Sequence, residues 1–461
     1  MSTPVTPRSL VIGLDGMPYR LLRDLADAGV MPHTAALLPQ GTLRPLRAPV
    51  PEISSTSWAS FLTGADPGRH GIYGFIDTEP GGYRTYFPNV DDLAATPVWQ
   101  VTAAAGVPAL VLNVPGSYPA PPVHGALVSG FVAPDFDRAV SPPRLRGTLR
   151  DAGYRLDVEV GDAASDPGGF LDRALEALRA RRRAFLRLLD EEPWALAICV
   201  FTETDRVHHF LWEQVVDPAA PLHGRIMDFY REVDEAVAAL VPHACDGGLT
   251  LVSDHGFGPA DTQFYLNAWL REAGYLALPA DAGSLTEIDE RTTAFALDPG
   301  RIHLNLRGRR PRGRDIAPGT AEEIARRLTA LRRAGDGSIR EDGPGRPLVA
   351  EVLYGAEHYA GPVRDRAPDL VAMPAPGVQL RGAWSTDEPV VPGPFTGTHT
   401  RDGATFWCRG DRGGGVVEMR DVMPTVLAGL GIAPAPSMEG RDIRGADTSA
   451  SAGAGTERTA E

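Results

Sequence analysis

WALAICVFTETDRVHHF, residues 194–210, changes character halfway along. Its first eight residues are apolar, and the run then stops on TETD. Four to eight apolar residues that end in a polar turn are the pattern of a strand buried on both faces. The pattern recurs in SLVIGLDG (9–16), ALVLNVP (109–115), ALVSGFV (126–132) and LTLVSDHG (249–256). Helical patterns lie between these runs. The clearest is 171–190, where Leu171, Leu175, Leu178, Phe185 and Leu189 recur at steps of three, four or seven, with arginines on the opposite face. Such alternation predicts an α/β fold with a doubly wound, mostly parallel sheet flanked by helices.

Residues 259–395 read differently, as short runs punctuated by Pro and Gly with a charged helix near 319–334. They are expected to form an insertion, or cap, on a main domain of residues 1–258 and 396–444. DLVAMP (369–374) and ATFWCRG (404–410) are expected to return to the sheet, and VEMRDVMPTVLAGLG (417–431) to close the domain as a helix. The tail, 445–461, has no apolar residue beyond alanine and reads as disordered.

Composition narrows the chemistry. At 461 residues, 43% hydrophobic and 23% charged, the chain has the makeup of a globular protein with a large core. Its formal net charge of -14 argues against nucleic-acid binding by bulk electrostatics, so an anionic ligand needs local positive charge. The basic residues are all arginine. Without lysine there is no Walker A loop and no Schiff-base catalysis. No stretch reaches the ~20 apolar residues of a membrane span, and MSTPVTPRSLVIGLDG has no long apolar leader segment. Cys199, Cys245 and Cys408 form no CxxC, and the two in strand-like runs read as buried reduced thiols. A cytoplasmic location is expected.

Acidic residues and histidines gather where the runs end, the edge at which open α/β sheets bind ligands. Asp15 closes the first run, Asp254 and His255 close LTLVSDHG, and His399 precedes ATFWCRG. Asp205 follows the opening run, with His209 four residues on, a spacing that places both on one helical face. Taken singly, each has an ordinary explanation: a surface pair, a turn former, a loop histidine. Together, three Asp and three His are mixed O/N donors that suit zinc or manganese and divide into two three-ligand sets. Two such ions about 4 Å apart would clamp a phosphoryl group. The row Ser54, Ser55, Thr56, Ser57 in PEISSTSWASFLTG (51–64) reads as a helix N-cap. It also offers a hydroxyl that a metal would activate as a nucleophile. Trp58, Arg69, His70, Tyr73, Tyr265 and His303 are candidates for shaping a pocket, with packing as the competing explanation.

As an ordered set, VIGLDG, PEISSTSWASFLTGADPGRHGI, TETDRVHHF, SDHGFG, GTHTRDGATF and MRDVMPTVLAGLG resemble the alkaline phosphatase superfamily. The likeness is to its type I phosphodiesterase/nucleotide pyrophosphatase branch, and most to its phosphohydrolase/phosphomutase members. It implies that Asp15, Ser54, Asp254 and His255 hold one divalent metal ion, and that Asp205, His209 and His399 hold the other. The spacing to Thr63–Gly64 selects Ser54 as nucleophile, with Ser55 next, because Thr56 stands where the family commonly has proline. In nucleotide pyrophosphatases an asparagine after HGI contacts a phosphoryl oxygen, and here Phe75 takes that place. SSTSW lacks the proline and arginine of a sulfatase motif. The resemblance implies an alkaline-phosphatase-like fold and a two-metal phosphoester hydrolase working through a phospho-serine. Zinc is the expected ion, with manganese as the other fit. A phosphodiesterase is the first expectation, a phosphomonoesterase or phosphomutase/phosphotransferase the alternative, and a dead metal-binding scaffold the last. The expected substrate is a small phosphate ester with its leaving group unspecified, contacted by Trp58, Phe75 and Tyr265.

Overall fold

All five apolar runs become strands, and they lie side by side at the centre of one sheet. This computed structural model describes residues 8–244, 248–279 and 281–445. The tail beyond Gly445 and Cys245 lie outside the described residues. The strands are β1 (Ser9–Leu14), β2 (Gly41–Arg47), β3 (Ala109–Val114), β4 (Gly125–Ser129), β5 (Val140–Ser141), β6 (Leu196–Phe201), β7 (Leu249–Val252), β8 (Asp402–Arg409) and β9 (Val417–Glu418). Among the described residues the sheet order is β9-β2-β8-β7-β1-β6-β3-β4-β5. The central five, β7-β1-β6-β3-β4, are parallel throughout. β8 runs antiparallel between β7 and β2, and β5 antiparallel on β4.

Both faces of this sheet are buried, which is why its strands are continuously apolar rather than alternating with polar residues. Along β6, Ala197, Cys199 and Phe201 enter one core and Leu196, Ile198 and Val200 the other, as a period of two requires. The first core is covered by α2 (Pro167–Glu191), whose Leu171, Leu178, Phe185 and Leu189 face inward as the periodicity predicts. α3 (Glu203–Val216) and α4 (His223–Leu240) complete that layer. The second core holds α1 (Ser54–Thr63) against α5 (Met419–Gly429), through Phe61, Leu62, Met423 and Leu427. Cys199 and Cys408 are buried and unbridged.

Much of the 259–395 segment builds a separate core. Ala294–Leu297, Arg301–Leu304, Leu370–Pro374 and Val349–Tyr354 form an antiparallel four-stranded sheet, with Leu266, Leu270, Ile324 and Leu328 packed in the same cluster. DLVAMP belongs to this second sheet and does not rejoin the first, contrary to expectation. Leu370 and Ala372 point into the insertion's core, while Val371 and Met373 pack with Val50 and Tyr73. A strand buried on both faces reads the same in either sheet, so the sequence pattern does not separate the two. ATFWCRG does return, as β8.

α3 begins where β6 stops, and a buried ion pair sets its start. Glu203 Oε1 lies 2.7 Å from Arg181 Nη1 of α2, with neither side chain reaching solvent. Arg181 also donates to Thr202 Oγ1 (2.7 Å) and to the Arg155 carbonyl (3.1 Å). Breaking a buried pair from one side leaves a charge without compensation. Arg181→Met is expected to lower unfolding stability in urea by about 3–5 kcal/mol. Adding Glu203→Met in the same chain should recover much of that loss, and a double variant no better than the single would count against this account.

Candidate active site

Three adjacent parallel strands deliver the acidic residues to one place. β1 runs out at Asp15, β6 leads through Thr202 into Asp205 on the first turn of α3, and β7 ends before Asp254 and His255. Asp15 N–H still donates to the Phe201 carbonyl (2.9 Å), so the β1 and β6 ends stay in register as the chain turns. Gly16 then takes a left-handed φ of 66° and donates its N–H to Asp254 Oδ1 (3.1 Å). A side chain there would be strained by the backbone, and its Cβ would crowd Phe257 and the Asp205 backbone.

His399 arrives from the far side of the insertion. Gly397–Thr400 pairs antiparallel with Gly256–Pro259, directly after His255, and sets His399 opposite Phe257. A second tie comes from a break in α3. Leu211 leaves helical geometry (φ −127°, ψ 23°), which frees nearby backbone groups. Thr396 takes up two of them: its N–H donates to the His209 carbonyl (2.8 Å) and its Oγ1 accepts from Trp212 N–H (2.9 Å). The loop carrying His399 is thereby bonded to the helix carrying His209.

The ring orientations follow from what each Nδ1 touches. In His209, His255 and His399 it faces a backbone carbonyl, of Gly397 (3.3 Å), Gly256 (3.1 Å) and Glu52 (3.1 Å) respectively. A carbonyl only accepts, so Nδ1 carries the proton and Nε2 presents a lone pair inward. His209 and His399 Nε2 atoms lie 2.9 Å apart, and both face Asp205 Oδ1 at 3.4 and 3.1 Å. His255 Nε2 is 3.1 Å from Ser54 Oγ, 3.2 Å from Asp254 Oδ2 and 3.7 Å from Asp15 Oδ1. His208, between the motif residues, turns away into the core, bridging the Gly16 carbonyl (3.0 Å) and the Tyr230 hydroxyl (2.6 Å).

Lone pairs turned on one another need a cation between them. Asp15 Oδ1 and Asp254 Oδ2 are buried with no hydrogen-bond donor. Among the described residues, two groups have ligand atoms close enough together to hold a metal ion: Asp205 with His209 and His399, and Asp15 with Asp205 and His255. Asp205 thus serves both groups, where the sequence expectation gave it to one. Asp254 stands outside both, with its free Oδ2 beside His255. Burial, then repulsion from Asp254 and Asp205, drives the Asp15 carboxyl well above the usual range. Burial also resists ionisation of Asp205, but when His209 and His399 take up protons in the metal-free site, the His209 charge and hydrogen bonds from both rings outweigh it and hold that carboxyl well below. These residues fit divalent ions by donor type, by burial and by their unpaired atoms.

Ser54 opens α1 in the same space, but the hydroxyl row does not cap the helix. The N-cap is Ile53, without a side-chain cap bond, and Ser54 to Ser57 form the first turn. The hydroxyls are used elsewhere: Ser54 Oγ faces His255, and Ser57 Oγ donates to the Asp254 carbonyl (2.5 Å). The first intrahelical bond runs from Ser57 N–H to the Ile53 carbonyl (2.9 Å), so the N–H groups of Ser54, Ser55 and Thr56 lie ahead of it with no acceptor within the helix. Ser55 Oγ is buried without a partner.

A tight cavity of about 40 Å³ lies against Asp15, Ser54, Asp205, His209 and His399, and Phe75, Phe131 and Arg206 also bound it. A larger cavity of about 350 Å³ shares Phe75, Phe131, Arg206, His209 and His399 with it, and adds Ile53, Phe395, Gln379 and Arg381. Phe75 packs edge-on to Phe131 (5.1 Å, 74°). Trp58 and Tyr265 are in neither lining. Trp58 is fully buried under β1, over Gly13, and its indole N–H donates to Asp15 Oδ2 (2.9 Å). Tyr265 ends a strand of the insertion paired with Val378–Arg381. Arg69 pairs with Glu439, His70 bonds Ser60, and Tyr73 bonds the Val363 carbonyl. His303 lines a separate cavity. Sequence reasoning passed over Phe131 and Arg206. Phe131 lies just beyond the end of β4, on the ligand edge, and Arg206 lies inside DRVHHF.

The carboxylate cluster makes stability depend on pH when chelator keeps metal away. Burial, with repulsion from Asp205, pushes Asp254 up to about 6. A raised folded-state value means its contribution is present below the unfolded carboxyl range and is lost as pH rises through 6. In chelator, unfolding stability of the wild type relative to Asp254→Asn is expected to fall by on the order of 3 kcal/mol between pH 4 and 7. A difference that stays flat across that range would overturn the assignment.

Residues 9–413 match the sequence model of the type I phosphodiesterase/nucleotide pyrophosphatase family. No curated protein sequence matches the chain. Among solved structures, the fold is similar to phosphonoacetate hydrolase from Sinorhizobium meliloti 1021, solved with phosphonoacetate: TM-score 0.60, 18% identity, covering 93% of this chain and 96% of that one. It is also similar to murine ectonucleotide pyrophosphatase/phosphodiesterase 5 (TM-score 0.53, 16% identity, 93% and 96% covered). The human counterpart gives TM-score 0.54 at 15% identity, with 95% and 98% covered. The fold is alkaline-phosphatase-like, as the sequence resemblance implied. Matched over most of its length, the chain belongs to the type I phosphodiesterase/nucleotide pyrophosphatase family.

Proposed function

We propose that this chain is a phosphoester hydrolase that uses Ser54 as nucleophile and two divalent metal ions, zinc by donor chemistry with manganese as the other fit. The observation that carries this reading is Ser54 Oγ, 3.1 Å from His255 Nε2, at the first turn of α1 and against a cluster of unpaired carboxylate oxygens and inward-facing imidazoles. Asp205, His209 and His399 would hold one ion, and Asp15, Asp254 and His255 the other, with Asp205 in reach of both. Bound there, the ions would supply Lewis-acid charge that acidifies the serine hydroxyl and stabilises the departing oxygen.

The chain's own residues do the rest. Ser54 Oγ attacks phosphorus in line, the bond to the leaving oxygen breaks, and water later releases phosphate from the phospho-serine. The open N–H groups of the first turn of α1 favour negative charge on the transferred group. Trp58 keeps Asp15 oriented through its indole N–H. Phe75 and Phe131 wall the phosphoryl cavity, and the 350 Å³ cavity beside it receives the leaving group. Its aromatic and apolar lining suits a small organic phosphate ester. Among the described residues no helix is long and apolar enough to cross a membrane.

Zinc-loaded protein is expected to hold two ions per chain and to cleave p-nitrophenyl esters of phosphate. Ser54→Ala should lower kcat/KM by ~10³-fold or more while keeping both ions. His399→Ala should lose one ion. Full activity in Ser54→Ala would move the nucleophile to another hydroxyl, with Ser55 next in line. Less than one ion per chain in the wild type would sink the two-metal reading.

A further inference from the structure

We infer that Arg206 binds the phosphoryl group directly and directs the site to phosphate monoesters, which carry two negative charges, over singly charged diesters. This rests on the phosphoester reading above. Among the described residues, Arg206 is the one basic side chain, histidines aside, in the lining of the tight cavity at Ser54. Its guanidinium is held on two sides without using all its donors. Nε and Nη2 bond Asp157 Oδ1 and Oδ2 (3.0 and 2.8 Å), and the ring of Phe131 lies 4.2 Å from the guanidinium carbon. Nη1 has only a long contact, 3.5 Å to Asp205 Oδ2. Asp157 itself is outside the cavity lining. The side chain is therefore already ordered, with N–H groups left for a ligand, and binding costs it little further entropy.

Charge and space point to the same class of substrate. Phe75 removes the neutral amide donor that the family resemblance placed near the phosphoryl group, and Arg206 brings a charged donor to the same lining. A charged donor gains more from a doubly than from a singly negative phosphoryl group. A monoester offers three unsubstituted oxygens. A diester replaces one of them with a substituent, which the roughly 40 Å³ between Phe75, Phe131 and Ser54 must also hold. The leaving group has the larger cavity, but the second ester arm has no equivalent room in that lining.

The test uses zinc-loaded full-length protein, as wild type, Arg206→Gln, Arg206→Lys and Asp157→Asn. It measures kcat/KM on p-nitrophenyl phosphate and on bis(p-nitrophenyl) phosphate, and inorganic phosphate binding by calorimetry. Zinc content and melting temperature check the fold. The wild type is expected to prefer the monoester. Arg206→Gln should lose ~100-fold on the monoester, at least ~10-fold more than on the diester, and should bind phosphate at least ~10-fold more weakly. Arg206→Lys should restore part of both. Asp157→Asn, which leaves the cavity lining intact, should shift both in the same direction by less, and it carries the test if the Arg206 variants fail to load zinc. Equal losses on the two esters, or unchanged phosphate affinity in a zinc-loaded Arg206→Gln, would overturn the inference and leave the hydrolase reading standing. Arg206-dependent phosphate binding in a protein that cleaves neither ester would support the inference and sink the hydrolase reading.

Discussion

Three carboxylates, Asp15, Asp205 and Asp254, are buried within reach of one another, and that crowding is what the rest of the site answers to. Removing a carboxylate from water costs several kcal/mol unless positive charge or donors meet it. Here the protein's donors meet only part of the demand: Trp58 on Asp15, the Gly16 amide on Asp254, Arg206 at long range on Asp205. The remaining oxygens face imidazole Nε2 atoms, which offer lone pairs rather than protons. Only a cation completes such a set, and so the cluster reads as a receptor for ions.

Holding these groups in place is work spread over the fold. The parallel register of β7, β1 and β6 brings the acids together without any loop of fixed shape. The histidines need more, because a ring must be set in position and in rotation. Each gains its rotation from a carbonyl at Nδ1, and two of those carbonyls, on Glu52 and Gly397, come from segments remote in sequence. The break in α3 at Leu211 would weaken an isolated helix. Here it gives Thr396 its two bonds and ties the segment before His399 to the part of α3 that carries His209. The 259–395 segment, much of which packs in a separate core, also lends Gln379 and Arg381 to the larger cavity.

An acidic chain that takes an anionic substrate must concentrate its positive charge. At this site that charge comes from whatever the Asp/His cluster binds and from Arg206 beside it. Asp157 pairs with Arg206 from outside the cavity, so the cation is fixed in direction while its free edge stays open. Phe75 and Phe131 line the same space with apolar surface, and a less polar surrounding strengthens each polar contact within it.

The sequence by itself determined the sheet and the candidate residues. Five apolar runs ending in polar turns specify buried parallel strands, and residues placed at those ends must meet at the carboxyl edge, whatever the loops do. Asp15, Asp205, Asp254, His255, His209 and His399 were therefore legible as a set. Tertiary structure alone decided what depends on neighbours distant along the chain. Trp58 reads as a wall of the pocket until its indole is seen on Asp15, and Asp205 reads as a member of one group until its carboxylate is found within reach of two. Ser54 to Ser57 look like a cap because local propensity favours one. The hydroxyls of Ser54 and Ser57 bond instead to residues some two hundred positions away, and no side chain caps the helix. DLVAMP found the wrong sheet for the same reason. Periodicity records how a segment is buried, whereas the identity of what buries it is a property of the folded chain.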